Sequence, residues 1–313
     1  MLKYLVILLD DRAISFCHYP DAVCAPKPIS AEHLAAGIRF AMMENLMVQF
    51  VYPDYKLPAC IQSLVETVDH TKIVPACYPG KAGVRVVNDW DSLLTMKLDR
   101  DTVYVLRTSK SVLFERYEAL VGVLSKVSRL NVVVTDVDTF TEEDFEAYRS
   151  VLAVLASVLE RLYSKGLLVQ LNLLTDRMML DAMNNCNAGW ESVTLAPDGR
   201  FYVCPAFLAE GKSVAVGDLD NGLHIKNPQL YHLDHAPLCR RCDAYQCRRC
   251  VWLNRRTTFE VNTPSHEQCV VAHLERNASR TLLEGIRRYG NFLPGHEIKE
   301  INYLDPFEQK EEY

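Results

Sequence analysis

Residues 186–204 read CNAGWESVTLAPDGRFYVC. Cys186 is followed by twelve residues, Gly199, four residues and Cys204. The middle of the segment, Val193 to Val203, predicts a β-hairpin turning at Pro197, Asp198 and Gly199. A hairpin brings its ends together, so this spacing sets two thiols side by side.

Downstream, LCRRCDAYQCRRC (Leu238–Cys250) places Cys239, Cys242, Cys247 and Cys250 two, four and two residues apart, and Cys269 follows. Two-residue gaps form tight loops in which both sulfurs can point at one metal centre, as in zinc knuckles and iron–sulfur sites. A zinc ribbon separates its two such pairs by about 15–20 residues so that they fold over one ion. Four residues do not easily allow that. The close group is therefore expected to divide its ligands between two centres, with Cys186, Cys204 and Cys269 completing them. Spacing constrains ligand softness better than metal identity. Iron–sulfur and zinc both stand as readings, and so does a single site with the other cysteines as buried apolar side chains.

Upstream of this region the pattern is different. Leu5–Leu9, Val48–Tyr52, Ile73–Val74, Val84–Val87, Val103–Leu106, Val132–Thr135 and Leu168–Leu173 read as strands. Helical patterns alternate with them: from a cap at Ser30, over Ile61–Val68, over Val112–Val127, and from a cap at Thr141 over Glu142–Tyr163. Alternation of this kind predicts an α/β domain with a mainly parallel sheet. The character changes after Asp176. The expected division is an α/β domain over 1–178, a cysteine-rich domain over 179–275, and a C-terminal helix (276–290) with a charged tail to 313.

The 313 residues are 49% apolar and 24% charged, ordinary for a globular chain that offsets its chain entropy by burial. A net charge of −6 gives no global attraction to nucleic acid or anionic membranes. The opening MLKYLVILLDDR has a short apolar run before two aspartates, which reads as a first strand and not as a signal peptide or membrane span. Eleven cysteines without an export signal are expected to be thiols or thiolates in a reducing, cytoplasmic setting.

The order of Gly199 and the seven cysteines from 186 to 269 resembles the SPASM domains of radical SAM peptide-modifying enzymes. Their inner spacing is usually two, five and three, so this sequence is one residue short at two places. The resemblance implies one or two four-iron clusters. One would be held by Cys239, Cys242, Cys247 and Cys269. The other would take Cys186, Cys204 and Cys250, with an open iron or with His232, His235 or a distant cysteine as its fourth ligand. The CxxxCxxC loop that holds the S-adenosylmethionine cluster in that family is absent. Cys17 and Cys24 are six residues apart without a third partner, so S-adenosylmethionine is not expected. Cys17, Cys24, Cys60 and Cys77 read instead as packed thiols. The α/β part then looks like a degenerate or partial radical SAM barrel.

The stretch CDAYQCRRCVWLNRRTTFEVNTPS, with a SPASM-like arrangement and no CxxxCxxC loop, makes the chain resemble the CXXX-repeat peptide maturases. That resemblance implies maturation of a cysteine-rich precursor peptide, with a separate modifying enzyme or electron donor as a further partner. No self-contained catalytic residue is visible. Arg240, Arg241, Arg248, Arg249, Arg255 and Arg256 cluster around a single acid, Asp243. They are expected to stabilise an anionic thiolate centre; the other reading is a dock for an acidic leader peptide or for phosphate, with Arg248, Arg249 and Trp252 as contacts and Tyr245 and Trp252 as stacking partners. Asp10, Asp11, Asp136, Asp138 and Asp176 stand at predicted strand ends, where parallel folds bind ligands, although turns and caps explain most such residues. His18 is a similar case. A second overall reading makes the cysteines zinc ligands of a structural or nucleic-acid-binding module on an inactive α/β domain.

Overall fold

The computed structural model describes residues 2–183, 185–301 and 303–305; the acidic end EQKEEY lies outside them. The chain forms two compact units, each assembled from two stretches: Met1–Val87 with Cys186–Ala236, and Asn88–Asn185 with Pro237–Tyr313. Residues 179–275, expected to form one domain, thus contribute to both.

The first unit begins with β1 (Tyr4–Leu8), α1 (Ala31–Met43), β2 (Met47–Val51), α2 (Ala59–Val65), β3 (His70–Pro75) and β4 (Val84–Val87). The Ser30 hydroxyl accepts the His33 N–H at 3.0 Å and starts α1. This helix buries Leu34, Gly37, Ile38 and Ala41, the spacing of one apolar stripe.

The chain then builds the second unit with α3 (Trp90–Thr95), β5 (Val103–Thr108), α4 (Lys110–Arg116), α5 (Leu120–Leu124), β6 (Arg129–Val134), α6 (Glu142–Ser164), β7 (Gln170–Leu171) and α7 (Asn172–Met179). The helix expected over 112–127 is broken by a 3₁₀ turn at Tyr117–Ala119. A reciprocal cap opens α6: Thr141 N–H donates to Asp144, and Asp144 N–H donates to the Thr141 hydroxyl. The strand expected over 168–173 stops at Leu171. Asn172 bonds Val132 through its side-chain amide at 2.7 and 2.9 Å, taking the place of the next ladder rung, and the backbone turns into α7.

Back in the first unit come β8 (Ser192–Leu195), β9 (Phe201–Tyr202), β10 (Gly217–Asp218) and β11 (Gly222–Leu223). The second unit closes with α8 (Val251–Thr258) and α9 (His266–Arg287). α9 begins ten residues before the expected start. Ser265 is its cap, accepting from Gln268 N–H, and Cys269 therefore lies in its first turn.

In the first unit the strand order is β4-β3-β2-β1-β8-β9. β1 runs parallel to both β2 and β8, with Leu5 opposite Val48 and Val193. In the second, β5, β6 and β7 are parallel neighbours. The fold is α/β with mainly parallel strands, as the alternation predicts. Leu5, Ile7, Phe50, Val193, Leu195 and Phe201 pack into one core in the first unit. Strands covered on both faces read as continuous apolar runs, which is why β1 shows no polar alternation. In the second unit α9 packs on α6 and α7.

Candidate metal centre

The second unit gathers five of the seven clustered cysteines. Cys239 opens a 3₁₀ turn, and Cys242 N–H bonds back to its carbonyl at 3.1 Å. Cys247 N–H bonds the Ala244 carbonyl at 2.9 Å, closing the four-residue gap into a compact loop. Cys269 arrives on α9. Cys239 and Cys269 are buried, and Cys242 and Cys247 are half-buried. Each of these four thiols lies within electrostatic reach of the other three. Burial pushes Cys239 up to about 11, raises Cys242, and raises Cys247 and Cys269 further still. Without a cation these sulfurs keep their protons, so a metal entering here would displace them.

None of the eleven cysteines is in a disulfide. Among the described residues, no three His, Cys, Asp or Glu side chains stand placed to hold a metal ion. A lone zinc ion would draw its sulfurs to about 2.3 Å from one point, whereas a four-iron cluster takes one thiolate per iron and spreads them wider. Four thiols within electrostatic reach of one another, two buried and two half-buried, are a sulfur donor set open to either group. Their surroundings suit thiolates. Ala244 N–H donates to Cys242 Sγ at 3.4 Å, and the Arg249 backbone hydrogen-bonds Cys247. His273 Nε2 is 3.5 Å from Cys242 Sγ, and its Nδ1 is 2.6 Å from the Leu304 carbonyl. A carbonyl only accepts, so Nδ1 carries the proton and Nε2 takes the thiol's. Burial lowers His273, in keeping with that neutral form.

Cys250 belongs to the same unit, where it caps α8. Cys186 and Cys204 belong to the first unit. The predicted hairpin is there: β8 and β9 are antiparallel, with Thr194 opposite Tyr202. Its turn needs Gly199, whose φ is +78°. Cys204 lies two residues past the end of β9, and the Cys186 carbonyl accepts from the Ser192 hydroxyl at 3.2 Å. The ring of His232, a candidate fourth ligand, lies 4.6 Å from that of Trp190, and its Nδ1 is 3.3 Å from Asp234. His235 is exposed.

The expected docking trio is not a surface patch. Arg249 is 2% exposed and Trp252 is 7% exposed, because the chain folds both inward between Cys247 and the first turn of α8. Arg240, Arg241, Arg248 and Arg256 are the exposed arginines of the run. Tyr245 lies under the Arg177 guanidinium, 4.3 Å away. The strand-end carboxylates are mostly accounted for by local bonds. Asp10 is buried and accepts from Arg12 N–H and the Tyr55 hydroxyl. Asp136 takes the Lys110 N–H, Asp138 pairs with Arg256, and Asp176 pairs with Arg129. Asp11 differs. With Tyr19, Cys24, Lys27, Asp198 and Tyr202 it lines a cavity of about 460 Å³ at the end of β1, and burial raises its carboxyl. Cys24, Cys60 and Cys77 are exposed and Cys17 and His18 half-exposed, so the packed-thiol reading fails for the first three: they sit on loops and at a helix start, outside the core.

Sequence reasoning missed Arg177, His273 and Arg276. The last two lie four and seven residues beyond Cys269, on the helical face that carries it. A helix begun at Ser265 would have exposed that spacing.

No family model and no curated protein matches the chain. Solved structures do. A hexahistidine-tagged form of anSMEcpe with bound AdoMet superposes with a TM-score of 0.63 at 10% identity, over 94% of this chain and 97% of that one. Native anSMEcpe with bound AdoMet and Cp18Cys peptide gives 0.59 at 11%, over 92% and 100%. The fold is that of these chains. Because they hold AdoMet, the likeness lends no support to the expectation that S-adenosylmethionine is absent here. No helix among the described residues is long and apolar enough to cross a membrane.

Proposed function

We propose that this protein takes part in the maturation of a ribosomally made, cysteine-rich peptide of the CXXX-repeat type, using iron–sulfur centres in the SPASM manner. One observation carries the reading: Cys239, Cys242 and Cys247 of one loop and Cys269 of α9 lie within electrostatic reach of one another in one compact unit. The shared fold supports it, since solved chains of that fold are described with bound Cp18Cys and Kp18Cys peptides.

In this reading the four thiolates hold one four-iron cluster; Cys186 and Cys204 in the first unit, and Cys250 in the second, are the remaining clustered thiols. Such clusters supply electron transfer or a Lewis-acidic iron when bound. The chain's own part is to exclude water around the sulfurs, to donate Ala244 N–H to Cys242, and to offer Arg240, Arg241 and Arg248 to an acidic leader segment.

Anaerobic purification with iron and acid-labile sulfide analysis tests the centre. Brown protein with about four or eight irons per chain is expected; colourless protein containing zinc overturns the reading in favour of a zinc module. A pull-down with a CXXX-repeat precursor tests the partner. Arg240→Glu, Arg241→Glu and Arg248→Glu together should abolish retention, and unchanged retention removes the docking role.

A further inference from the structure

Asp243 stands between Cys242 and Ala244, inside the loop that carries three of the four thiols. Arg276, wholly buried on α9, reaches it with Nε at 3.0 and 3.1 Å from the two carboxylate oxygens and with Nη2 at 2.6 Å. Arg177, 3% exposed on α7, adds Nη2 at 3.3 Å. Neither arginine is free to turn elsewhere. Arg276 Nη1 also bonds Asn277 Oδ1 at 3.0 Å and its Nη2 the Lys299 carbonyl, while Arg177 stacks on Tyr245 and approaches His296 Nε2 at 3.5 Å.

Two buried guanidinium groups thus converge on one carboxylate. Burying an ion pair is costly even when it balances, and this one does not: one positive charge is left over beside Cys242. The completely buried, bidentate Arg276 marks the arrangement as a fixed part of the interior and not a surface pair. A surplus positive charge next to a group of thiols is stabilised when those sulfurs carry negative charge, as they do on binding metal.

We propose that Arg276 and Arg177, acting through Asp243, are positioning residues for the four-cysteine centre: they fix the Cys242–Cys247 loop and set the charge against which the centre takes up an electron. The inference rests on the iron–sulfur reading above. Both arginines favour the more negative, reduced state, and Asp243 opposes it.

The test is the reduction potential of the reconstituted full-length chain, followed by dye equilibration and by the spectrum of the reduced cluster, with iron per chain and helical circular dichroism measured alongside. Arg276→Gln should shift the potential to more negative values and Asp243→Asn to more positive ones, with Arg276→Lys restoring most of the loss. A merely structural clamp would lower iron content in both variants and would not split the potential by sign. If Arg276→Gln does not fold, Arg177→Gln carries the same expected sign. Potentials that match wild type, or that move together in both charge variants, overturn the inference and leave the cluster reading intact. Wild-type chain that binds no iron overturns both.

Discussion

The Tyr148 hydroxyl donates to Glu275 Oε1 at 2.7 Å, joining α6 to α9 in the interior of the second unit. Burial raises Glu275 to about 7, outweighing the hydrogen bonds from Tyr148 and Gln246, which lower it. The unfolded value is near 4.5, so between these limits the folded chain binds the extra proton. Stability from this group is therefore full below about pH 4.5 and is lost as pH rises through 7. The span corresponds to roughly 3 kcal/mol at about 1.4 kcal/mol per unit. Glu275→Gln should flatten the profile between pH 4.5 and 7 and be the more stable form at pH 8. Urea unfolding at several pH values measures this, and a variant with the wild-type profile would show that Glu275 is not the group responsible.

Thiol reactivity should follow burial. Cys24, Cys60, Cys77 and Cys186 are exposed, whereas Cys239 and Cys269 are buried with their thiols held protonated. The thiolate is the reacting form. Brief alkylation of metal-free protein under reducing conditions, read by peptide mass spectrometry, should label the first four at least tenfold faster (order of magnitude). Equal labelling of Cys269 and Cys60 would contradict the buried placement.

Much of the fold is legible because its signals are local. Val84–Val87 is a strand at the bounds read from sequence, and Ser30 and Thr141 announce their helices by side-chain caps that need only three residues of context. The hairpin at Gly199 follows from one turn. What sequence hid depends on distant partners. Leu168–Leu173 reads as a strand until Asn172 finds Val132, forty residues away. Arg249 reads as a docking contact until the loop folds it beneath the surface. The candidate centre shows both cases. Its cysteines are visible as a spacing, but Asp243 looks like one acid in a basic run until Arg177 and Arg276 converge on it. The α9 start at Ser265 was readable, since Ser265 and Gln268 form the S-x-x-Q pattern before an apolar run.

Two glycines separate backbone strain from crowding. Gly166 and Gly199 have φ of +77° and +78°. A Cβ at Gly166 meets nothing within 4 Å, whereas at Gly199 it would come to 2.9 Å from the His33 ring, whose Nδ1 lies 3.0 Å from the Pro197 carbonyl. Gly166→Ala should cost about 1–2 kcal/mol, the usual penalty of a left-handed non-glycine residue. Gly199→Ala should cost measurably more, because the ring must also give way. Thermal melts compare the two, and equal losses would mean that His33 moves aside freely.

If two clusters are present, the cysteines should sort into two groups by the iron each one controls. Cys269→Ser removes a buried ligand of the four-thiol centre; it should release about half of the iron and leave the remainder with an intact spectrum. Cys204→Ser, in the first unit, should release the other half, and the double substitution should release nearly all. Cys60→Ser, on the exposed start of α2, should change nothing and serves as the control. The same order should appear in limited proteolysis, because ligand loss frees the chain between 237 and 265 to be cut while Cys60→Ser leaves it protected. Loss of all iron from either single variant would point to one shared centre. Iron content unaffected by Cys269→Ser would remove that residue from the ligand set and, with it, the assignment of α9 as the helix that completes the site.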